Sequence, residues 1–74
     1  MDSFVDWLTN QAKRRDLVGD LARDARLDAG WPPPGKVSRA RLRNYLAERG
    51  AIPRALLALD LAWDEWDHER RIAK

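Results

Sequence analysis

The chain has 74 residues, 45% of them hydrophobic and 35% charged, and carries a net charge of +2 with no cysteine. That length is expected to form a single domain over residues 1–74, and the missing cysteine excludes disulfide staples and thiolate metal sites. So large an apolar fraction beside nearly balanced charge excludes a disordered chain and fits a folded, soluble domain.

Four helices can be read in order. The first opens at Ser3, with Asp6 three residues on in the manner of a capping box. Phe4, Trp7, Leu8, Gln11 and Ala12 share one side at helical spacing. It closes on Lys13-Arg14-Arg15, cations suited to the negative end of the helix dipole. Asp16 caps the second helix, whose inner stripe is Leu17, Val18, Leu21, Ala22 and Ala25. Gly30 is expected to stop it through a left-handed conformation. Three prolines in Trp31-Pro32-Pro33-Pro34-Gly35 then enforce a stiff loop.

Ser38 caps the third helix, which turns Leu42, Tyr45 and Leu46 inward and ends at Gly50. Pro53 suits the first position of the fourth helix, which is expected to run to about Arg71. Its main stripe is Ala55, Leu56, Leu59, Ala62, Trp63 and Trp66. Strand signals are weak, with little alternation and few β-branched residues. A core this small yields only roughly 3–5 kcal/mol. The aromatic supply, four Trp, one Tyr and one Phe, is therefore expected to be spent on packing.

The ordered set Ser3-Phe4-Val5-Asp6-Trp7-Leu8, Asp28-Ala29-Gly30-Trp31-Pro32, Tyr45-Leu46-Ala47-Glu48 and Asp60-Leu61-Ala62-Trp63-Asp64-Glu65-Trp66 resembles the YozE-type sterile-alpha-motif-like (SAM-like) family of small bacterial proteins. The resemblance implies an all-α fold, a compact four-helix bundle with sterile-alpha-motif-like topology. That topology serves both protein-interaction domains and helix-hairpin-helix nucleic-acid binders, so it does not choose a function. Trp31-Pro32 departs from the family's usual Phe-Pro. The family supplies no catalytic residues.

Charge is sorted along the chain. Between Lys36 and Arg54 lie Lys36, Arg39, Arg41, Arg43, Arg49 and Arg54 against the single carboxylate Glu48. A local surplus of that kind attracts polyanions, and arginine suits bidentate contact with phosphate. On the third helix Ala40, Asn44 and Ala47 face outward, framed by Arg39 and Arg43 on one side and Arg41 on the other. The turn Arg49-Gly50-Ala51-Ile52-Pro53-Arg54 adds a helix N-terminus, although a plain tight turn explains it better. These six cations form the candidate nucleic-acid site, with Lys13, Arg14 and Arg15 as an extension. The competing explanation is an ordinary solvated helix face.

Other groups carry less. Asp16, Asp20, Asp24 and Asp28 spiral around the second helix and do not converge on a metal. Asp28 sits near that helix's negative end and is expected to take a structural hydrogen bond from Trp31, Tyr45 or an arginine. Phe4, Trp7, Trp63 and Trp66 read as core, with Trp31 partly exposed or plugging the gap between helices two and three. Leu57 and Leu61 lie one turn apart, opposite Leu59 and Trp66. Either the last helix is covered on two sides, the more common arrangement, or these leucines meet a partner. With Asp60 and Asp64 they form the candidate protein-interaction site, and an acidic fourth helix beside a basic third suggests head-to-tail self-association. His68, the only histidine, reads as a surface residue.

No phosphate loop and no nucleophile with a base partner are visible, so the chain is expected to be a non-enzymatic binding module without cofactor, metal or small-molecule substrate. Its expected partners are DNA or RNA, or alternatively another protein or itself. With no apolar run of ~20 residues and no basic-then-apolar leader, no membrane partner and a cytoplasmic location are the default expectations.

Overall fold

In the computed structural model, which describes residues 3–72, the chain forms α1 (Phe4–Thr9), α2 (Leu17–Leu27), α3 (Arg39–Glu48) and α4 (Pro53–Ile72). There is no strand among the described residues. The three expected caps are made. The Ser3 hydroxyl accepts from the Asp6 N–H at 3.2 Å, the Asp16 carboxylate from the Gly19 N–H at 3.0 Å, and the Ser38 hydroxyl from the Arg41 N–H at 3.2 Å. Each satisfies one of the donors that a helix start leaves unpaired. Gly50, at φ 78°, closes α3 in the left-handed region.

Two boundaries differ from the sequence reading. Helix α1 stops at Thr9 and does not reach Ala12, because the chain tightens into a turn in which the Asn10 N–H donates to Trp7 O at 3.1 Å. Arg23 fixes that turn by donating to the carbonyls of Ala12 and Arg14, both at 2.7 Å. Helix α2 ends at Leu27, with Asp28 in extended backbone, so Gly30 is not its left-handed stop. Gly30 is small for another reason: a Cβ there would lie 2.7 Å from the Tyr45 hydroxyl. The following loop contains a cis Trp31–Pro32 bond.

Helix α4 is the spine, with α1, α2 and α3 all packed against it. The core gathers Phe4, Trp7 and Leu8 from α1, Val18, Leu21 and Ala22 from α2, Leu42 from α3, and Ala58, Leu59 and Ala62 from α4. The aromatics behave as core. The Phe4 ring lies 4.7 Å from Trp63 and 5.7 Å from Trp66, within the range of favourable ring pairs. Trp7 is buried with its indole N–H donating to Glu69 Oε2 at 3.1 Å. Trp31 is half-buried, as the first of its two readings expected, and packs against the core edge with its ring 5.9 Å from that of Tyr45. The radius of gyration, 11.6 Å, is close to the ~11 Å of a well-packed chain of this length.

Covering of α4 is one-sided. Leu57 and Leu61 remain 51% and 42% exposed, so the common arrangement, a last helix buried on two faces, does not occur here.

Candidate functional site

The mid-chain cations do not collect on one face clear of acids. Arg39 and Arg43 project from the side of α3 that faces α4. There Arg39 Nη1 meets Asp64 Oδ1 at 3.5 Å and Arg43 Nε meets Asp60 Oδ2 at 3.7 Å. Arg41 leaves α3 on the other side and donates through Nη2 to the Pro34 carbonyl at 2.6 Å. That contact presses its guanidinium against Gly35, whose φ of 101° only glycine adopts readily. Arg49 turns back to Asp28, with Nη2 3.1 Å from Oδ1, and lies over the Tyr45 ring at 5.2 Å. Among the described residues Lys36 and Arg54 have no ion pair, and they stand at opposite ends of the basic segment. Sequence reasoning counted charge along the chain, whereas folding brings α4 and the end of α2 alongside and sets carboxylates against three of the six cations.

The acidic and basic surfaces expected to join separate molecules therefore meet within one. Asp60 and Asp64, placed by sequence in the candidate protein contact, hold α3 against α4. Exposed pairs of this length contribute little each, about 0–1 kcal/mol, so they orient the helices more than they stabilise them.

Asp28 does what its position predicts. Its carboxylate accepts from the Tyr45 hydroxyl at 2.7 Å and from the Gly30 N–H at 2.9 Å, beside Arg49. The Tyr45 hydroxyl, the Gly30 N–H and the Arg49 charge hold the Asp28 carboxyl below the usual range. Partial burial and the Asp28 carboxylate push the Tyr45 phenol up. The donors are tyrosine and arginine, not Trp31.

A second polar hub was not legible in the sequence. The Arg14 guanidinium grips Glu65 with both terminal nitrogens, at 2.9 and 3.0 Å, and also binds Asp16 at 2.6 Å and Gln11 at 3.3 Å. Hydrogen bonds to Glu65 and Asp16 raise its already high pKa, and Arg14 in turn lowers that of Asp16. Arg14 thus ties the α1–α2 turn to α4 and does not extend a basic surface. Asp16 beside Arg14 was visible locally, but Glu65 lies 51 positions away and gave no signal.

What the fold leaves open includes apolar surface. Leu57 and Leu61 lie on the outer face of α4 with Arg54, Asp64 and His68, all exposed. Ile52, 63% exposed, borders a groove of about 360 Å³ between α2 and the start of α4, floored by Leu17, Leu21, Ala55 and Ala58. Sequence reasoning passed over Ile52, although an aliphatic residue just before the helix-opening Pro53 was the available cue. No cluster of three or more potential metal ligands occurs among the described residues. No helix among the described residues is long and apolar enough to cross a membrane.

Comparison with known proteins supplies a family. The sequence profile described as a YozE SAM-like fold matches residues 3–68, nearly the whole chain. No curated protein and no solved structure gives a match.

Proposed function

This chain belongs to the YozE SAM-like family, and we propose that it is a small non-enzymatic helical module that binds another protein through the outer face of α4. The observation that carries this reading is the pair Leu57 and Leu61. They are one turn apart, about half exposed, and left uncovered by the three other helices. Apolar side chains on an otherwise polar helix face lose contact with water when a partner covers them, at about 25 cal/mol per Å². Neighbouring Asp60 and Asp64 supply a polar rim, already oriented by Arg43 and Arg39.

The phosphate-binding alternative draws support from Lys36, Arg41 and Arg54, the mid-chain cations without a carboxylate partner among the described residues; Arg41 sits at the Pro34–Gly35 turn beside Lys36, and Arg54 stands at the start of α4. Arg39, Arg43 and Arg49 each face a carboxylate that would compete with a phosphate. The discriminating experiment places a photo-crosslinking amino acid at position 57 in host cells, with position 44 on the outer face of α3 as control. Protein adducts from 57 and not from 44 support the reading. Adducts with nucleic acid from 44 and none with protein from 57 contradict it.

A further inference from the structure

Single exposed leucines are ordinary on a small domain. Leu57 and Leu61 differ because of the charges that bracket them. Reading outward along α4 gives Arg54, Leu57, Leu61 and Asp64, with steps of three, four and three residues. At 100° per residue the four fall within an arc of about 80° on the face turned away from the core. The pattern is a palindrome in shape and an antipalindrome in charge. The midpoint of Leu57 and Leu61 is Leu59, and so is the midpoint of Arg54 and Asp64.

We propose that this stripe is a self-recognition surface, on which a second copy of the chain lays its own α4 antiparallel across a two-fold axis at the level of Leu59. This rests on the protein-interaction reading above and names the partner. Under that symmetry each residue meets the one equally far beyond the axis. Leu57 then faces the second copy's Leu61, and Arg54 faces the second copy's Asp64, about 15 Å from its own Asp64 along the helix. The two stripes together thus supply four leucines to the centre and two ion pairs to the ends. A parallel arrangement in register would set arginine on arginine and aspartate on aspartate.

The charged groups are placed for this. Arg54 has no ion pair among the described residues. Asp64 accepts from Arg39 through Oδ1 at 3.5 Å and its side chain is 71% exposed, so the carboxylate has room for a second donor. Other charged or titratable groups near the stripe are Asp60, engaged by Arg43, His68, beyond Asp64, and Asp20, Arg23 and Asp24 of α2, which line the groove that Arg54 borders without an ion pair to it. A stripe of one helix covers less than the ~1,200 Å² of a standard interface, which puts the association in the weak, reversible class. The contact is isologous and closes at two copies, so it does not propagate into filaments.

Sedimentation velocity on the full chain over a concentration series, at low and high salt, tests this. The wild type should dimerise reversibly and less at high salt, and Leu57→Asp should remain monomeric. Arg54→Asp and Asp64→Arg should each weaken dimerisation ~10-fold, because each turns both terminal pairs from attractive to repulsive. Mixing those two variants should restore association, since one copy then carries acids at both positions and the other carries bases at both. Each end of the mixed dimer again sets an acid against a base. A change that merely loosened the monomer could not produce that recovery. Circular dichroism checks folding, and should Asp64→Arg not fold, Asp64→Asn replaces it with partial recovery on mixing.

A wild type monomeric at high concentration and low salt overturns the inference. So does dimerisation indifferent to Leu57→Asp, or loss in both charge variants with no recovery on mixing. A monomer that still gives adducts with a foreign protein from position 57 fails this inference and keeps the interaction reading. A monomer with no such adducts fails both.

Discussion

Asp28 sits where a carboxylate is disfavoured, at the negative end of α2, and its three donors offset that cost. Replacing it with asparagine removes the charge that Arg49 meets and should lower the melting temperature; an unchanged melt would contradict the structural role. The carboxyls of Asp28, Asp16 and Asp67 are all held below their ordinary values, chiefly by Tyr45, Arg14 and Arg70 respectively. A carboxyl with a depressed folded pKa contributes stability that is complete above the unfolded value, about 3.9, and is lost as pH falls through the folded value. Thermal stability should therefore drop on acidification below about pH 4, and drop less steeply in Asp28→Asn. Gly30 adds a steric check: in Gly30→Ala the new methyl meets the Tyr45 hydroxyl at 2.7 Å. The variant should melt lower, and adding Tyr45→Phe should cost less than the two single changes summed, because the colliding oxygen is gone.

Between elements the tightest approach is Gly19 of α2 against the turn that follows α1. A Cβ at Gly19 would collide with the Arg14 carbonyl oxygen, which is backbone and cannot swing aside. Gly19→Ala should cost at least the ~1–3 kcal/mol of an overpacked site, measurable by urea unfolding; a neutral outcome would mean that the turn is not held. Arg14→Lys should also destabilise, and more than the same change at Arg15. An ammonium cannot reproduce the fork that reaches Glu65, Asp16 and Gln11 together.

These two sites mark how far the sequence could be read. Helix positions, all three caps, the aromatic core and the need for a partner at Asp28 follow from spacing and local chemistry. The family's ordered motifs supplied the bundle topology. Contacts across the chain were hidden. Nothing local announces that Glu65 returns to Arg14, that Asp60 and Asp64 face Arg43 and Arg39, or that Gly19 must pass a carbonyl. Leu57 and Leu61 were seen as either buried or open, and only the placement of the other helices decided between the two.

At the scale of the molecule, charge that looks sorted in sequence is largely paired in space. Arginines from α3 hold acids on α4, Arg49 holds the end of α2, and Arg14 binds α4 to the first turn. Such a molecule should hold duplex DNA poorly. Neutralising four phosphates would give a log–log salt slope of roughly −3.6. Of the six mid-chain cations only Lys36, Arg41 and Arg54 lack a carboxylate partner among the described residues, so a shallow slope and weak binding are expected from a fluorescence titration at low salt. The open chemistry lies on α4, where Leu57 and Leu61 face solvent between Arg54 and Asp64.

Amide NMR spectra of the labelled protein, first diluted stepwise and then titrated with a short DNA duplex at low salt, test that division in one sample. Dilution should move the signals of Arg54, Leu57, Leu61 and Asp64, while DNA leaves α3 nearly unmoved. Saturable DNA-induced shifts at Arg39, Arg41, Arg43 and Gly50, with α4 silent on dilution, would show that the arginines let go of their carboxylates for phosphate.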